Sequence, residues 1–222
     1  MKKALTLAEV LITLGIIGIV AAMTLPGVFR DIRNKELESR FKKSYSMLSS
    51  SIQLIIEQEY GGVASLEQKQ YAEFGKLLKS YIGTSKTVGV GRWGTSEISS
   101  WLKQTYKNFG GGATNGIFND YAFYTSDGSA TVFLDTGHGL KFPEIFIAID
   151  INSVDNKPNK YGYDFFGFYL DKKGQLLPFG EPNSYVSETK GCIPGNSAYS
   201  NNGLGCTIKA LTDKDYFKNL PR

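Results

Sequence analysis

The chain has 222 residues, of which 41% are hydrophobic, 13% aromatic and 21% charged, so it can build one full hydrophobic core and is not intrinsically disordered. Its 25 basic and 21 acidic residues leave a net charge of +4, too small a surplus for electrostatically driven nucleic-acid binding. One histidine and two cysteines exclude four-cysteine, paired cysteine–histidine and multi-histidine metal sites. Any catalytic Cys–His pair would have to use His138.

An apolar segment lies close to the start of the chain. Residues 10 to 29 are twenty consecutive uncharged and mostly apolar side chains, and a helix of that length crosses about 30 Å of hydrocarbon. Lys2 and Lys3 precede it, but it is longer than the ~7–15 apolar residues of a cleavable signal peptide. Glu9 stands at its front edge, where an ionised side chain costs on the order of 2.5–3.5 kcal/mol or less. The sequence therefore predicts a membrane-spanning helix in which Glu9 has a partner.

Lys2, Lys3 and Ala4, followed by Leu5-Thr-Leu-Ala-Glu9-Val-Leu-Ile, resemble the amino-terminal methylation motif of type IV pilins and type II secretion pseudopilins. The resemblance implies that a prepilin peptidase/N-methyltransferase cleaves between Ala4 and Leu5 and methylates the new terminus. It also implies that Glu9 pairs with the terminal amine of a neighbouring subunit. The sequence departs from the family pattern at two positions, with Ala4 in place of the usual Gly and Leu5 in place of the usual Phe.

The resemblance implies an α+β fold in which a long N-terminal helix, half transmembrane and half amphipathic, packs on an antiparallel β-sheet head. Residues 1–4 would be a leader peptide, 5–29 the transmembrane helix, and 30–222 the globular head including the second half of the helix. Pro26 falls where family members often carry a proline, and Gly15 and Gly18 suit close helix contacts. The implied location is the bacterial inner membrane with an extracytoplasmic head, and later an extracellular or periplasmic filament.

Two alternatives remain for the apolar segment: an ordinary signal anchor, or a secretory signal cleaved near Ala22. Neither explains Glu9. The charge distribution opposes the implied orientation, because more basic residues follow the segment than precede it. Those that follow are Arg30, Arg33, Lys35, Arg40, Lys42 and Lys43.

The rest of the chain reads as a helical half followed by a β half. Apolar residues at helical spacing run from Leu37 to Ile55, and Gly61-Gly62 would end a helix that begins near Glu9, about 78 Å long with a kink or melted turn at Pro26. Ser65 and Ser96 are predicted starts of two shorter helices.

From residue 121 the pattern has period two. It predicts a hairpin over 121–134 and strands at 144–151, 164–170 and 175–177, which form an antiparallel meander packed on a helix. The aromatic run Tyr161–Tyr169 is predicted to supply the sheet core and its solvent face, rather than a ligand-stacking surface. Gly89–Gly94 matches G-x-G-x-x-G without a preceding buried strand, so it is interpreted as a loop. His138 has no catalytic partner at a recognisable spacing.

Cys192 and Cys206 enclose thirteen residues that are rich in Gly, Asn and Ser. We expect a disulfide, with two reduced buried thiols as the alternative. A disulfide persists in oxidising compartments, so the head would lie outside the cytoplasm. The resemblance agrees, because many type IV pilins close a C-terminal loop with a disulfide.

A segment between two predicted strands carries candidate calcium ligands, namely Asp150, Asn152, Asp155 and Asp164. Calcium takes 6–8 oxygen ligands, and the resemblance favours calcium because pseudopilins of type II secretion often hold it in a C-terminal loop. Against it, Lys157 and Lys160 lie nearby and the spacing is not that of an EF-hand. Asp and Asn also favour turns without any metal.

The resemblance implies a structural filament subunit without enzymatic activity. It would serve type II secretion, adhesion and motility, or DNA uptake, which the sequence does not distinguish. Its partners would be other subunits and the inner-membrane assembly platform, with nucleic acid unfavoured by charge. The alternatives are a signal-anchored extracytoplasmic binding module, such as an adhesin or carbohydrate binder using loops 84–94 and 193–205, and an anchored enzyme.

Overall fold

A computed structural model of the chain describes residues 6–61, 71–87, 96–135, 145–171 and 173–221. The α-helices are α1 (Leu7–Glu59), α2 (Tyr71–Ile82), α3 (Ser96–Thr105), α4 (Glu188–Gly191) and α5 (Thr207–Thr212), with a 3₁₀ turn at Leu204–Cys206. The strands are β1 (Gly83–Thr87), β2 (Tyr121–Thr125), β3 (Thr131–Asp135), β4 (Ile145–Asp150), β5 (Phe165–Leu170) and β6 (Leu176–Pro178).

The six strands that the described residues form make one antiparallel sheet in the order of the sequence, from β1 to β6. Each strand pairs with its neighbour in the chain, and α3 lies in the long connection between β1 and β2. The long helix and the antiparallel sheet confirm the predicted α+β architecture.

Helix α1 is continuous over 53 residues and contains Pro26. Proline has no backbone N–H, so Pro26 cannot bond to the carbonyl of Ala22. The remaining bonds nevertheless keep the turn helical, and the predicted melted turn is therefore wrong for α1. The helix rises by about 80 Å along its axis.

The second half of α1 packs on one face of the sheet. Leu37, Phe41, Leu48, Ile52 and Ile55 are buried in one apolar cluster, together with the side chains that β4 and β5 direct toward the helix. The Phe41 ring centroid is 4.5 Å from that of Phe166 on β5 and 5.6 Å from that of Phe217. The predicted apolar stripe is confirmed as the contact between helix and sheet.

A second layer covers the other face of the sheet. Phe146, Phe165 and Tyr169 point away from α1 into a separate apolar cluster with Leu102 of α3 and Phe118. Every residue of β3, β4 and β5 is consequently buried. The prediction that the aromatic run has a solvent face is wrong, because α3 and the segment after it lie over that face.

Strand β1 was not expected, since the sequence analysis places residues 84–94 in a loop. Its sequence, Gly-Thr-Ser-Lys-Thr, has no apolar alternation, and it pairs with β2 at the edge of the sheet, with a shift in register. An edge strand is held by backbone hydrogen bonds on one side, so a polar sequence can form it.

Replacement of Phe41 by Ala should lower the free energy of unfolding of the head by about 3–5 kcal/mol, because it leaves a cavity between the helix and the sheet. Thermal unfolding of the full chain in detergent, followed by near-UV circular dichroism, measures this change. Leu54→Ala is the matched control, because Leu54 lies on the same helix and is 44% exposed; we expect a change within about 0.5 kcal/mol. Equal melting of the two variants would contradict the assigned packing.

Candidate functional site

Glu9 lies in the first turn of α1, where its carboxylate is bonded within the same chain. Its Oε2 accepts hydrogen bonds from the backbone N–H of Thr6 at 2.8 Å and from the Thr6 hydroxyl at 2.9 Å. The Glu9 N–H in turn donates to Thr6 Oγ1 at 3.3 Å. This is a capping box, which satisfies otherwise unpaired groups at the start of a helix. The chain itself therefore already offers Glu9 hydrogen-bond partners, although no positive charge among the described residues neutralises it.

The first half of α1 is exposed on every side. None of its most apolar stretch is buried, and it is long and apolar enough to cross a membrane. Large side chains along it stay open, with Met23 78% and Phe29 64% exposed. A Cβ built on Gly15 or on Gly18 would meet no described atom within 4 Å, so a neighbouring helix could approach closely there.

Cys192 and Cys206 form the predicted disulfide, with their Cα atoms 4.7 Å apart. Both cysteines are buried in the same cluster as the second half of α1. The disulfide thus joins the end of α4 to the 3₁₀ turn and closes the intervening loop against the core.

Two buried asparagines, which sequence reasoning missed, hold that loop. Asn202 accepts a hydrogen bond from Ile193 N–H and donates to the carbonyl oxygens of Ile193 and Asn196. The Asn108 side chain donates to the Ser197 and Tyr199 carbonyl oxygens and accepts from the N–H groups of Gly110 and Gly112. Side-chain hydrogen bonds from both asparagines therefore fix the backbone of the loop 193–205. The Asn content of the loop was the only sequence signal of these hydrogen bonds, and it does not identify Asn108, which is 89 residues from Ser197.

Two of the predicted calcium ligands form a buried carboxylate pair. Asp150 accepts hydrogen bonds from the Tyr106 hydroxyl at 2.6 Å and from Asn152 N–H at 3.1 Å. Asp164 accepts from the N–H groups of Asn159 at 2.8 Å and Lys160 at 2.7 Å. Burial raises the pKa of Asp164 to about 6. Burial, followed by repulsion from Asp164, raises the pKa of Asp150 well above its ordinary value.

The other two predicted ligands are placed differently. Asn152 lies beside the carboxylate pair, and its side-chain oxygen is buried without a hydrogen-bond partner among the described residues. Asp155 is exposed and accepts a hydrogen bond from the Tyr124 hydroxyl at 3.1 Å. Among the described ranges, no group of three or more acidic, histidine or cysteine side chains could hold a metal ion.

These contacts do not fit a ready coordination shell for calcium. All four oxygens of Asp150 and Asp164 already accept hydrogen bonds from the protein, whereas calcium needs six to eight oxygen ligands. The hydrogen bonds from Asn152, Asn159 and Lys160 instead use the carboxylate pair to hold the 150–164 turn. Calcium binding stays a prediction that the melting experiment below tests.

Several residues singled out in the sequence lie outside the described residues, namely Ala4 and Leu5 at the predicted cleavage site, Gly89–Gly94 and His138. Of the described candidates, Glu9 lies in the exposed apolar half of α1, and the disulfide and the carboxylate pair lie in the head. The structure thus brings Asp150, Asn152 and Asp164 together but does not join them to Glu9.

Fold and contacts together define an α+β head carried by a helix that is long and apolar enough to span a membrane. Searches against protein-family models, curated proteins and solved structures find no match to this chain.

Removal of the disulfide should destabilise the head. We expect the double variant Cys192→Ala/Cys206→Ala to lose about 3 kcal/mol, because the unfolded chain regains the freedom of a loop of this length. For a head of this size this lowers the melting temperature by about 6–12 °C. A reductant should shift the wild-type protein in the same direction and leave the double variant unchanged. A wild-type melting temperature that does not respond to complete reduction would contradict the expectation.

The carboxylate pair should make stability depend on pH. A carboxyl whose pKa is raised on folding stabilises the fold fully below its unfolded value of about 4 and loses that contribution as the pH rises through the folded value. With a chelator present, we therefore expect Asp164 to contribute a loss on the order of 3 kcal/mol in the free energy of unfolding between roughly pH 4 and 6. Asp150, whose pKa is also raised, adds a loss in the same direction. Melting of the full chain in detergent across this range measures it.

Asp150→Asn removes one charge of the pair and should flatten this pH dependence, whereas Glu57→Gln, which changes an exposed carboxylate on α1, should not. Identical pH profiles for wild type and Asp150→Asn would refute the assignment. Excess calcium at pH 7 tests the calcium prediction in the same assay. If calcium binds, a free calcium concentration of 100 times its dissociation constant raises the free energy of unfolding by about 2.7 kcal/mol.

Proposed function

We propose that this chain is a structural subunit of a membrane-extruded filament, resembling a type IV pilin or a type II secretion pseudopilin. One observation carries the proposal: a single continuous helix is exposed and apolar in its first half and packed into the head in its second half. An apolar helix with every side open must be covered by lipid or by other helices. In a filament subunit, lipid covers this helix before assembly and the helices of neighbouring subunits cover it afterwards.

The proposed mechanism is physical rather than catalytic. The apolar half of α1 rests in the membrane, and assembly exchanges its lipid contacts for contacts with the same segment of neighbouring subunits. Gly15 and Gly18 leave room for close approach. The chain would perform no reaction and would bind no nucleic acid. Its partners would be a prepilin peptidase, other subunits and the assembly platform of a bacterial inner membrane, with the head on the extracytoplasmic side.

Glu9 has a specific part in this proposal. Before assembly, the capping box gives its carboxylate two hydrogen bonds from Thr6. In the filament, the terminal amine of a neighbour, generated by cleavage before Leu5, would supply the missing positive charge. A buried ion pair of this kind fixes register because an unpaired partner is costly. The axial position of each subunit would then depend on Glu9.

Mass spectrometry of the native N-terminus tests the function directly. A methylated Leu5 terminus supports the filament proposal. An intact Met1 removes it and favours the alternative of an anchored extracytoplasmic binding module.

Variants of Glu9 separate its charge from its capping role. Glu9→Ala and Glu9→Gln should both insert into membranes and both lower incorporation into filaments at least tenfold, because each loses the charge. Gln can still complete a capping box, so a purely local role would leave Glu9→Gln at the wild-type level. Thr6→Ala removes the cap alone and should have the smaller effect. Filaments sheared from cells that lack the wild-type gene, quantified against total subunit, give the comparison.

A further inference from the structure

A cleft of about 320 Å³ opens where α1 passes from its apolar half into the head. Arg30 and Arg33 line it from the helix, and Lys160 and Tyr163 line it from the turn before β5. Leu37 and Leu220 give it apolar walls. A cleft with basic side chains and apolar walls matches a ligand that is both anionic and apolar.

Among the described residues, none of the basic side chains of this cleft forms a close ion pair. No carboxylate is among the described residues that line it, and the salt bridges of those residues include neither Arg33 nor Lys160. Asp164 attracts the Lys160 ammonium without forming a salt bridge to it. One Arg33 nitrogen lies 3.4 Å from the Lys157 carbonyl oxygen, which leaves other guanidinium donors free to bind. The Lys160 ammonium lies 4.4 Å from the centre of the Tyr163 ring. Arg30 approaches Asp31 at 3.8 Å, where both side chains are at least half exposed and the attraction is weak.

The position along α1 indicates where the ligand comes from. Arg30 is the first charged residue after the apolar stretch 10–29, which spans about 30 Å of hydrocarbon. Arg33 and Leu37 follow about 4.5 and 10.5 Å further along the helix axis. The headgroup layer on each side of a bilayer is roughly 5–8 Å thick. When α1 spans a bilayer, the mouth of the cleft therefore lies in that layer.

We propose that this cleft binds the phosphate of an anionic phospholipid in the leaflet next to the head. The inference rests on the proposed insertion of α1 into a membrane, but not on filament assembly. Arg33 and Lys160 would hold the phosphate, and the glycerol and upper acyl carbons would extend from there past Arg30 along the apolar half of α1. The bound lipid would fix the height and tilt of the head on the membrane.

If the cleft binds a phospholipid, the basic residues after the apolar segment bind lipid instead of determining which way α1 is inserted in the membrane. Basic residues near a membrane surface gain about 1 kcal/mol each from anionic lipid, which is about fivefold in affinity. They can therefore be retained on the extracytoplasmic side for lipid binding, against the bias that their number would otherwise impose on topology.

Competition between two lipids tests the proposal. The full-length chain in non-ionic detergent is mixed with equal amounts of phosphatidylglycerol and phosphatidylcholine of identical acyl chains, and native mass spectrometry counts the bound lipids. We expect the wild type to retain phosphatidylglycerol at least fivefold over phosphatidylcholine. Arg33→Gln/Lys160→Gln should lose this preference, by up to roughly 25-fold for two charges.

Two further variants make the result specific. Lys103→Gln/Lys190→Gln removes two charges from α3 and α4 and should keep the preference, since neither residue lines the cleft. Arg33→Lys/Lys160→Arg keeps both charges and should also keep it. An equal loss in the α3 and α4 variant would show net charge alone to be responsible and would overturn the proposal.

The remaining outcomes are equally decisive. The proposal is wrong if the wild type shows no preference, if glycerol 1-phosphate binds as tightly as phosphatidylglycerol, or if the cleft variant loses only self-association. A methylated Leu5 terminus without lipid preference would remove the cleft assignment and leave the filament proposal. An intact Met1 with lipid preference would do the reverse.

Discussion

Helix α1 buries Phe41, Leu48 and Ile52 against the sheet, and the same helix continues without a break into its exposed apolar half. The contact between helix and sheet therefore sets the direction in which the apolar half leaves the head. A looser contact would let the head change its angle to the apolar half of α1. Because the helix is continuous, the packing of the head is coupled to whatever surrounds the first half, whether lipid or neighbouring helices.

The second layer of the head depends on the same arrangement. Since α1 covers one face of the sheet, the aromatic side chains on the other face need their own cover, which α3 and Phe118 provide. Tyr106, at the end of α3, reaches through this layer to Asp150 at the end of β4. The buried carboxylate pair thus connects the second layer to the sheet, and it also makes the stability of the head depend on pH.

Much of the fold could be predicted from the sequence because its signals are local. The stripe from Leu37 to Ile55 and the alternation in β2 to β5 are visible within a few residues, and these elements begin and end within one or two residues of expectation. The disulfide followed from two cysteines around a loop poor in core residues.

Other features depend on residues that are far apart in the chain. The bond between Tyr106 and Asp150 joins positions 44 residues apart, and Asn108 contacts Ser197 at a separation of 89. No local pattern marks either pair. The burial of both faces of β5 was missed for the same reason, since the covering segment after α3 has no regular periodicity. The sequence suggested that the carboxylates of Asp150 and Asp164 were available to calcium, because it does not show the hydroxyl and N–H groups that donate hydrogen bonds to them.

The two edges of the sheet determine whether heads at high local density can pair through their strands. The edge strand β1 is polar, and the opposite edge strand, β6, has only three residues and ends at Pro178. Long, flat, apolar edges invite pairing between copies, whereas short or polar edges with proline resist it. Heads held side by side at high local density would therefore remain separate folded units instead of merging into intermolecular sheets.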